Sequence, residues 1–246
     1  MRLFSLSLVG RASGDAPKRG GRRVLEVNPY GIVRRVLLAA VNGALPDEHR
    51  AEALQLLAQA LQHAEEDVRS LAVIGLTELG AEPEALLPIL IKAAMDPCDI
   101  VRRRALRALG DLGTKAAAAV PQLALSLRDN DAGVRMEAVS ALGKIGPDAR
   151  PTVPALIELL THEDVRIRTI VAVALRRIGA YAVPALMKAL ADPNAVVRER
   201  SAILLGQIGI YHDAVVQKLL EACSDTEPDI RVAAREAIER LELTTR

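Results

Sequence analysis

Apolar residues recur along this chain on two superposed periods. In VRMEAVSALGKIG, residues 134–146, they fall at Val134, Ala138, Ala141, Leu142 and Ile145, offsets 0, 4, 7, 8 and 11. At about 100° per residue those positions share one face of an α-helix. The same pattern opens at Val68, Val101, Val134, Ile167, Val197 and Ile230, in steps of 33, 33, 33, 30 and 33 residues. A fixed period in that range indicates stacked supersecondary units rather than a single core. Twelve residues after the first five openers stand Gly80, Gly113, Gly146, Gly179 and Gly209, with Glu242 breaking the rule at the end. These glycines predict left-handed C-caps. Pro88, Pro121 and Pro154 lie eight residues past a glycine, and Pro184 only five past, where three loop residues are missing. Proline is tolerated in a helix's first turn, so each predicts the start of a second helix. Every unit therefore reads as two antiparallel helices, a proline-opened A helix and a valine- or isoleucine-opened B helix.

An arginine follows each opener, at Arg69, Arg102, Arg135, Arg168, Arg198 and Arg231, and an aspartate often stands six residues before it. That line resembles the HEAT repeat, and most closely its short bilin-lyase-type (PBS lyase) HEAT-like form. The resemblance covers residues 47–242 as six units, preceded by a half unit, NPYGIVRRVLLAAVNG, at 28–43. It implies an all-α fold, an α-solenoid wound as a right-handed superhelix of about thirteen helices. It also implies a ladder in which each Asp pairs with a neighbouring unit's Arg. Asp96, Asp129, Asp192 and Asp225 fit the ladder, while His63 and His162 occupy the other two places and read as capping or ladder substitutes. The domain expectation is a disordered basic tail over 1–27 and one continuous solenoid over 28–246. Offset 5 gives a direction to the stack: Val73, Leu106, Val139, Ala172 and Ala202 are apolar, and the last, Arg235, is charged. That is expected if the position packs on the next unit and the final unit has none. The tail segment LFSLSLV is one candidate to cover the opposite end.

Composition narrows the function. Half the residues are apolar, yet there is no Trp, one Phe and three Tyr, so the core must be aliphatic and alanine-rich. Little is left for stacking on bases. The net charge of +1 is unevenly spread: residues 1–23 carry six basic groups against Asp15, whereas the rest holds 26 basic and 30 acidic groups. The basic tail could touch nucleic acid or anionic lipid by charge alone, but the mildly acidic body argues against a nucleic-acid partner. No apolar run approaches the roughly 20 residues of a spanning helix. LFSLSLVG is short, serine-interrupted and lacks a small-x-small cleavage site, so it does not read as a signal peptide. Cys98 and Cys223 lie too far apart to bridge, a pattern that fits the cytoplasm.

The sequence lacks CxxC, P-loop, GxGxxG, HExxH and GxSxG motifs, and its four histidines are scattered over different units. One His-Glu pair, His162–Glu163, cannot build the di-iron centre of a deoxyhypusine hydroxylase. The chain is therefore expected to be no enzyme, without cofactor or metal. In the repeat class it resembles, B helices line the concave face and offsets 2, 6 and 9 point outward. Those offsets supply Arg35, Ser70, Ile74, Thr77, Arg103, Arg107, Met136, Ser140, Val173, Arg176, Glu199 and Ile203. A merely solvated face would be rich in Glu and Lys. Here Ile74, Met136, Val173 and Ile203 form an apolar row flanked by Arg103, Arg107 and Arg176, the composition of a protein-binding patch. The expectation is a monomeric scaffold or adaptor that binds another protein or an acidic peptide, with a HEAT-like enzyme subunit as the alternative.

Overall fold

The B-helix runs join one apolar stripe to good helix formers and carry no proline beyond their first residue, so nothing interrupts the hydrogen-bond ladder within them. The computed structural model describes residues 29–243, which form thirteen α-helices and, among those residues, no strand. The basic tail and its suggested covering role lie outside the described residues. The described residues fall into two compact units, divided between Ala81 and Glu82.

The first unit holds α1 (Pro29–Val41), α2 (Arg50–Ala60) and α3 (Glu66–Glu78). The expected half unit is α1, and the chain leaves it through Gly43 at φ 63°. Both α1 and α2 pack on α3, burying Val33, Val36, Leu57, Val68, Ala72, Leu76 and Leu79. Gly75 makes room for this packing: a β-carbon there would stand 2.7 Å from Leu57 Cδ2.

The second unit holds α4 (Pro83–Ala93), α5 (Asp99–Asp111), α6 (Val120–Ser126), α7 (Ala132–Ile145), α8 (Val153–Glu158), α9 (Val165–Ile178), α10 (Val183–Ala189), α11 (Ala195–Ile208), α12 (Asp213–Ala222) and α13 (Pro228–Leu243). The B helices α5, α7, α9, α11 and α13 follow one another as neighbours, and each packs on the A helix of its own hairpin. Their stripes are the core. At offset 8, Leu109, Leu142, Leu175 and Leu205 are at most 1% exposed. Burying each contributes about 1.5–3 kcal/mol before entropy is counted. At offset 5, Leu106, Val139 and Ala202 are buried while Arg235 on α13 is exposed, as the stacking direction requires.

Three local expectations change. Pro88 does not open its helix; α4 starts at Pro83 and Pro88 sits inside it, whereas Pro121, Pro154 and Pro184 do fall in the first turn. The loop glycines all have positive φ, but Gly146 and Gly179 pair it with ψ of −129° and −128°, which leads into a 3-10 turn; Gly209, at φ 72° and ψ 21°, is a left-handed cap. Offset 9 does not uniformly face outward. It is Gly110, Gly143 and Gly206 on α5, α7 and α11, all buried. A β-carbon at these glycines would meet the backbone Cα of Ala141, Ala174 and Ala237 at 3.0, 2.9 and 2.7 Å. Glycine is thus what lets successive B helices touch backbone to backbone.

One stretch, Val165–Ala189, is long and apolar enough by length and composition to cross a membrane, contrary to the reading of apolar runs above. It is the α9–α10 hairpin, broken at Gly179, whose apolar residues Ile167, Val171, Leu175, Ile178 and Leu186 form part of the core. The run looks long because the 30-residue step brings two apolar helices close together in sequence.

Candidate interaction surface

The arginine after each opener is set by its own hairpin first. In all six units its Nη1 donates to the carbonyl oxygens six and five residues earlier, as Arg102 does to Asp96 and Pro97 at 2.9 Å each and Arg168 to His162 and Glu163 at 2.8 Å each. It therefore clamps the turn between helices A and B. The residue six positions before it caps the same turn. Asp129 Oδ1 accepts from the Asp131 N–H at 2.9 Å, and His63 Nδ1 and His162 Nδ1 accept from Glu65 and Asp164 N–H at 3.1 and 3.0 Å. Both histidines thus stand in for aspartate as caps.

The ladder between hairpins is a second, separable layer. Arg102 donates through Nε and Nη2 to Asp129 at 2.9 and 2.8 Å, and Arg198 does the same to Asp225 at 2.8 and 3.0 Å. These four side chains are between 12% and 17% exposed, so the pairs are screened less than surface ones. Burial alone would raise the Asp129 carboxyl; the Arg102 hydrogen bond and the Asp131 N–H outweigh it and hold the carboxyl below its ordinary value. Asp225 is drawn down to about 2 by Arg198 first and the Glu227 N–H second. At Arg135 and Arg168 this layer is missing: the Nε of each is buried without an acceptor among the described residues. For Arg135 the position 27 residues on is His162, which cannot offer a carboxylate.

The α9–α11 joint departs further. It is the 30-residue step, and Arg176 stands where the other three joints of the second unit place a glycine. A long side chain there forbids backbone contact, and α9 and α11 touch far less than the other neighbouring B helices of the second unit do. Ala172, at offset 5, is only half-buried. A cleft of about 90 Å³ opens there, lined by Leu160, Ala172, Arg200, Ile203, Leu204 and Gln207.

The residues expected on the binding face divide by unit. In the first, Arg35 and Ile74 are half-buried, Thr77 is exposed, and Ser70 is buried rather than outward-facing. In the second, Met136, Ser140, Val173, Glu199 and Ile203 are half-buried and Arg103, Arg107 and Arg176 exposed. Ser140 and Val173 line a cleft of about 200 Å³ between α7 and α9, rimmed by Lys144 and Arg177. Ile203 lines the cleft at the next joint. Two of the arginines already have company. Arg107 is paired with Glu137 of the next B helix, its Nε at 3.2 Å, and Arg103 lies across the start of α7, where a β-carbon at Gly133 would stand 2.7 Å from its Nε. Lys144, Arg177 and Arg200, which line the clefts, fall at offsets that the outward-face rule did not select. Among the described residues no group of three or more His, Cys, Asp or Glu side chains is placed to hold a metal ion.

Stacked two-helix hairpins with a repeated turn clamp and an intermittent ladder define an α-solenoid repeat protein. The chain belongs to the HEAT-repeat family, whose pattern matches residues 53–124, 87–176 and 153–239 in three overlapping stretches. Among solved structures it is similar to the archaeal HEAT-like repeats protein from Thermococcus onnurineus NA1, at 20% identity and a TM-score of 0.53 over 94% of this chain and all of that one. It is also similar to an engineered protein, at 22% identity and a TM-score of 0.55 over 90% of this chain and 66% of that one. A designed armadillo repeat protein matches at 18% identity and a TM-score of 0.50, over 76% and 99% of the two chains. As many as 221 solved chains match, so these likenesses identify an architecture and no activity. No curated protein matches the sequence.

Proposed function

We propose that this protein is a non-enzymatic scaffold or adaptor that binds another protein or peptide along its B-helix face, in the cytoplasm and as a monomer. We place its repeats in the short bilin-lyase-type subgroup, on the Asp–Val–Arg spacing and the paired glycines of the B helix. The observation that carries the functional reading is the pair of shallow clefts between successive B helices of the second unit. Their floors include half-buried Val173 and Ile203, and their rims carry Lys144, Arg177 and Arg200. Apolar side chains held half-open beside cations suit a partner with apolar anchors and acidic flanks. The surface needs no deep pocket, because specificity is spread over several repeats.

The test is capture from native lysate with the wild-type chain and a Val173→Ser, Arg177→Glu double variant, which alters the α7–α9 cleft, as parallel baits. A protein enriched only by the wild type, with helicity equal in both baits, supports the reading. Equal capture by both sinks it. The competing class is a HEAT-like enzyme subunit; iron or a chromophore retained through purification would favour that class.

A further inference from the structure

In the second unit, Arg102, Arg135, Arg168 and Arg198 share one geometry in which Nη1 clamps two carbonyls of the turn, and two of them, Arg102 and Arg198, turn the remaining edge of the guanidinium to a carboxylate 27 residues on. For Arg168 the position 27 residues on is Ala195. Asp192 is engaged in its own turn, where its Oδ1 accepts from the Asn194 N–H at 2.8 Å. Asp129 and Asp225 cap their turns in the same way and still take an arginine, whereas Arg168 Nε is buried with no acceptor among the described residues. A second guanidinium stands close by: Arg200 of α11 is half-buried and forms no ion pair among the described residues. Burial first, and the Arg168 charge second, push its pKa down, and neighbouring Glu199 only partly offsets them. Arg168 lies one turn before Ala172 on α9, and Ala172 and Arg200 line the same cleft. Two like charges that repel one another, beside an apolar cleft, are both relieved by one anion.

The shape and the chemistry select the anion. At about 90 Å³ the cleft holds roughly three waters' worth of volume, enough for a side-chain carboxylate. The edge of an arginine that presents Nε and Nη2 matches a planar carboxylate in two parallel hydrogen bonds, as the Arg198–Asp225 pair shows at 2.8 and 3.0 Å. We propose that the α9–α11 joint is a carboxylate-binding site, in which Arg168 and Arg200 hold an Asp or Glu side chain of an acidic peptide lying on the B helices. The source of that peptide rests on the adaptor reading; the chemistry of the site does not.

The experiment follows the arginine Nε–H signals of the full chain by NMR, titrated at constant ionic strength with acetylated hexaglutamate or, in parallel, inorganic phosphate. Hexaglutamate is expected to move the Arg168 and Arg200 signals saturably while the Arg102 signal stays in place. Arg200→Gln should weaken this binding about tenfold or more, the loss of one charge-assisted partner. Arg168→Lys, which keeps the charge and a donor for the turn carbonyls but loses Nε, should do the same, so a folding failure of one variant leaves the other as a test. Arg168 and Arg200 signals that do not move, or that move no more than those of Arg102 and Arg198, overturn the proposal. A response to phosphate but not to hexaglutamate overturns the carboxylate assignment and makes this a phosphate site. Hexaglutamate that moves the Arg168 and Arg200 signals while lysate capture fails would sink the adaptor reading and leave this site, and the reverse pair of results would sink this site alone.

Discussion

The α5–α7 and α9–α11 joints are built from the same repeat and differ at three points. At the first, Gly110 rests against the Ala141 backbone, Arg102 grips Asp129, and offset 5 is buried in Leu106. At the second, Arg176 replaces the glycine, Arg168 has no carboxylate, and Ala172 is half-open beside a cleft. The turn clamp is intact at both. A hairpin's own closure is therefore independent of how tightly it meets its neighbour. Contact between neighbours in the second unit depends on a small residue at offset 9 and an acid 27 residues past the arginine, and where both are lacking the stack keeps its order but the B helices touch far less. In a fold made of equivalent repeats, that is how one place is made unlike the others.

The largest effect should come from breaking the tight joints' backbone contact. Gly206→Leu places a side chain where a β-carbon already meets Ala237 Cα at 2.7 Å, and should cost about 3 kcal/mol in urea unfolding. Arg176→Leu, the same offset at the loose joint, should leave the midpoint almost in place. Equal losses at both would refute the contrast. Next comes the ladder. Asp129→Ala strips Arg102 of its carboxylate and should cost about 2 kcal/mol by the same assay. Asp225 adds a pH signature. Its carboxyl is held at about 2 against an ordinary 3.8, so the folded state binds its proton less readily than the unfolded chain does. Its contribution is complete above about pH 5 and is lost as pH falls through that interval. Acid unfolding of Asp225→Asn should lack this component.

A smaller effect of opposite sign is expected at His162. Aspartate there would keep the cap on the Asp164 N–H and give Arg135 Nε an acceptor, so His162→Asp should stabilise by about 1 kcal/mol and raise Tm. A fall in Tm would show that the α7–α9 spacing does not allow the ladder bond. Smallest of all, Arg176→Ala removes an exposed side chain and should change stability by less than about 0.5 kcal/mol.

The repeat, its six openers, the glycine breaks and the core stripe were all legible in the sequence. They depend on the 3.6-residue turn and on burial of one face, and both are properties of a single helix. The half unit α1 and the charged last face at Arg235 were legible for the same reason. Contacts between helices were not. The rule that offset 9 faces solvent failed at Gly110, Gly143 and Gly206, because a residue without a side chain lets two backbones meet and turns an outward position into an interface. Four arginines of the second unit that look alike in the sequence divide in the fold: Arg102 and Arg198 reach an aspartate in the next hairpin, and Arg135 and Arg168 have a buried Nε without one. Sequence alone determined that this chain is a stack of two-helix hairpins. Only the tertiary structure decided which joints of the second unit bring two backbones together and which does not, because that depends on interhelical distances set by one small side chain and one loop length acting across repeats.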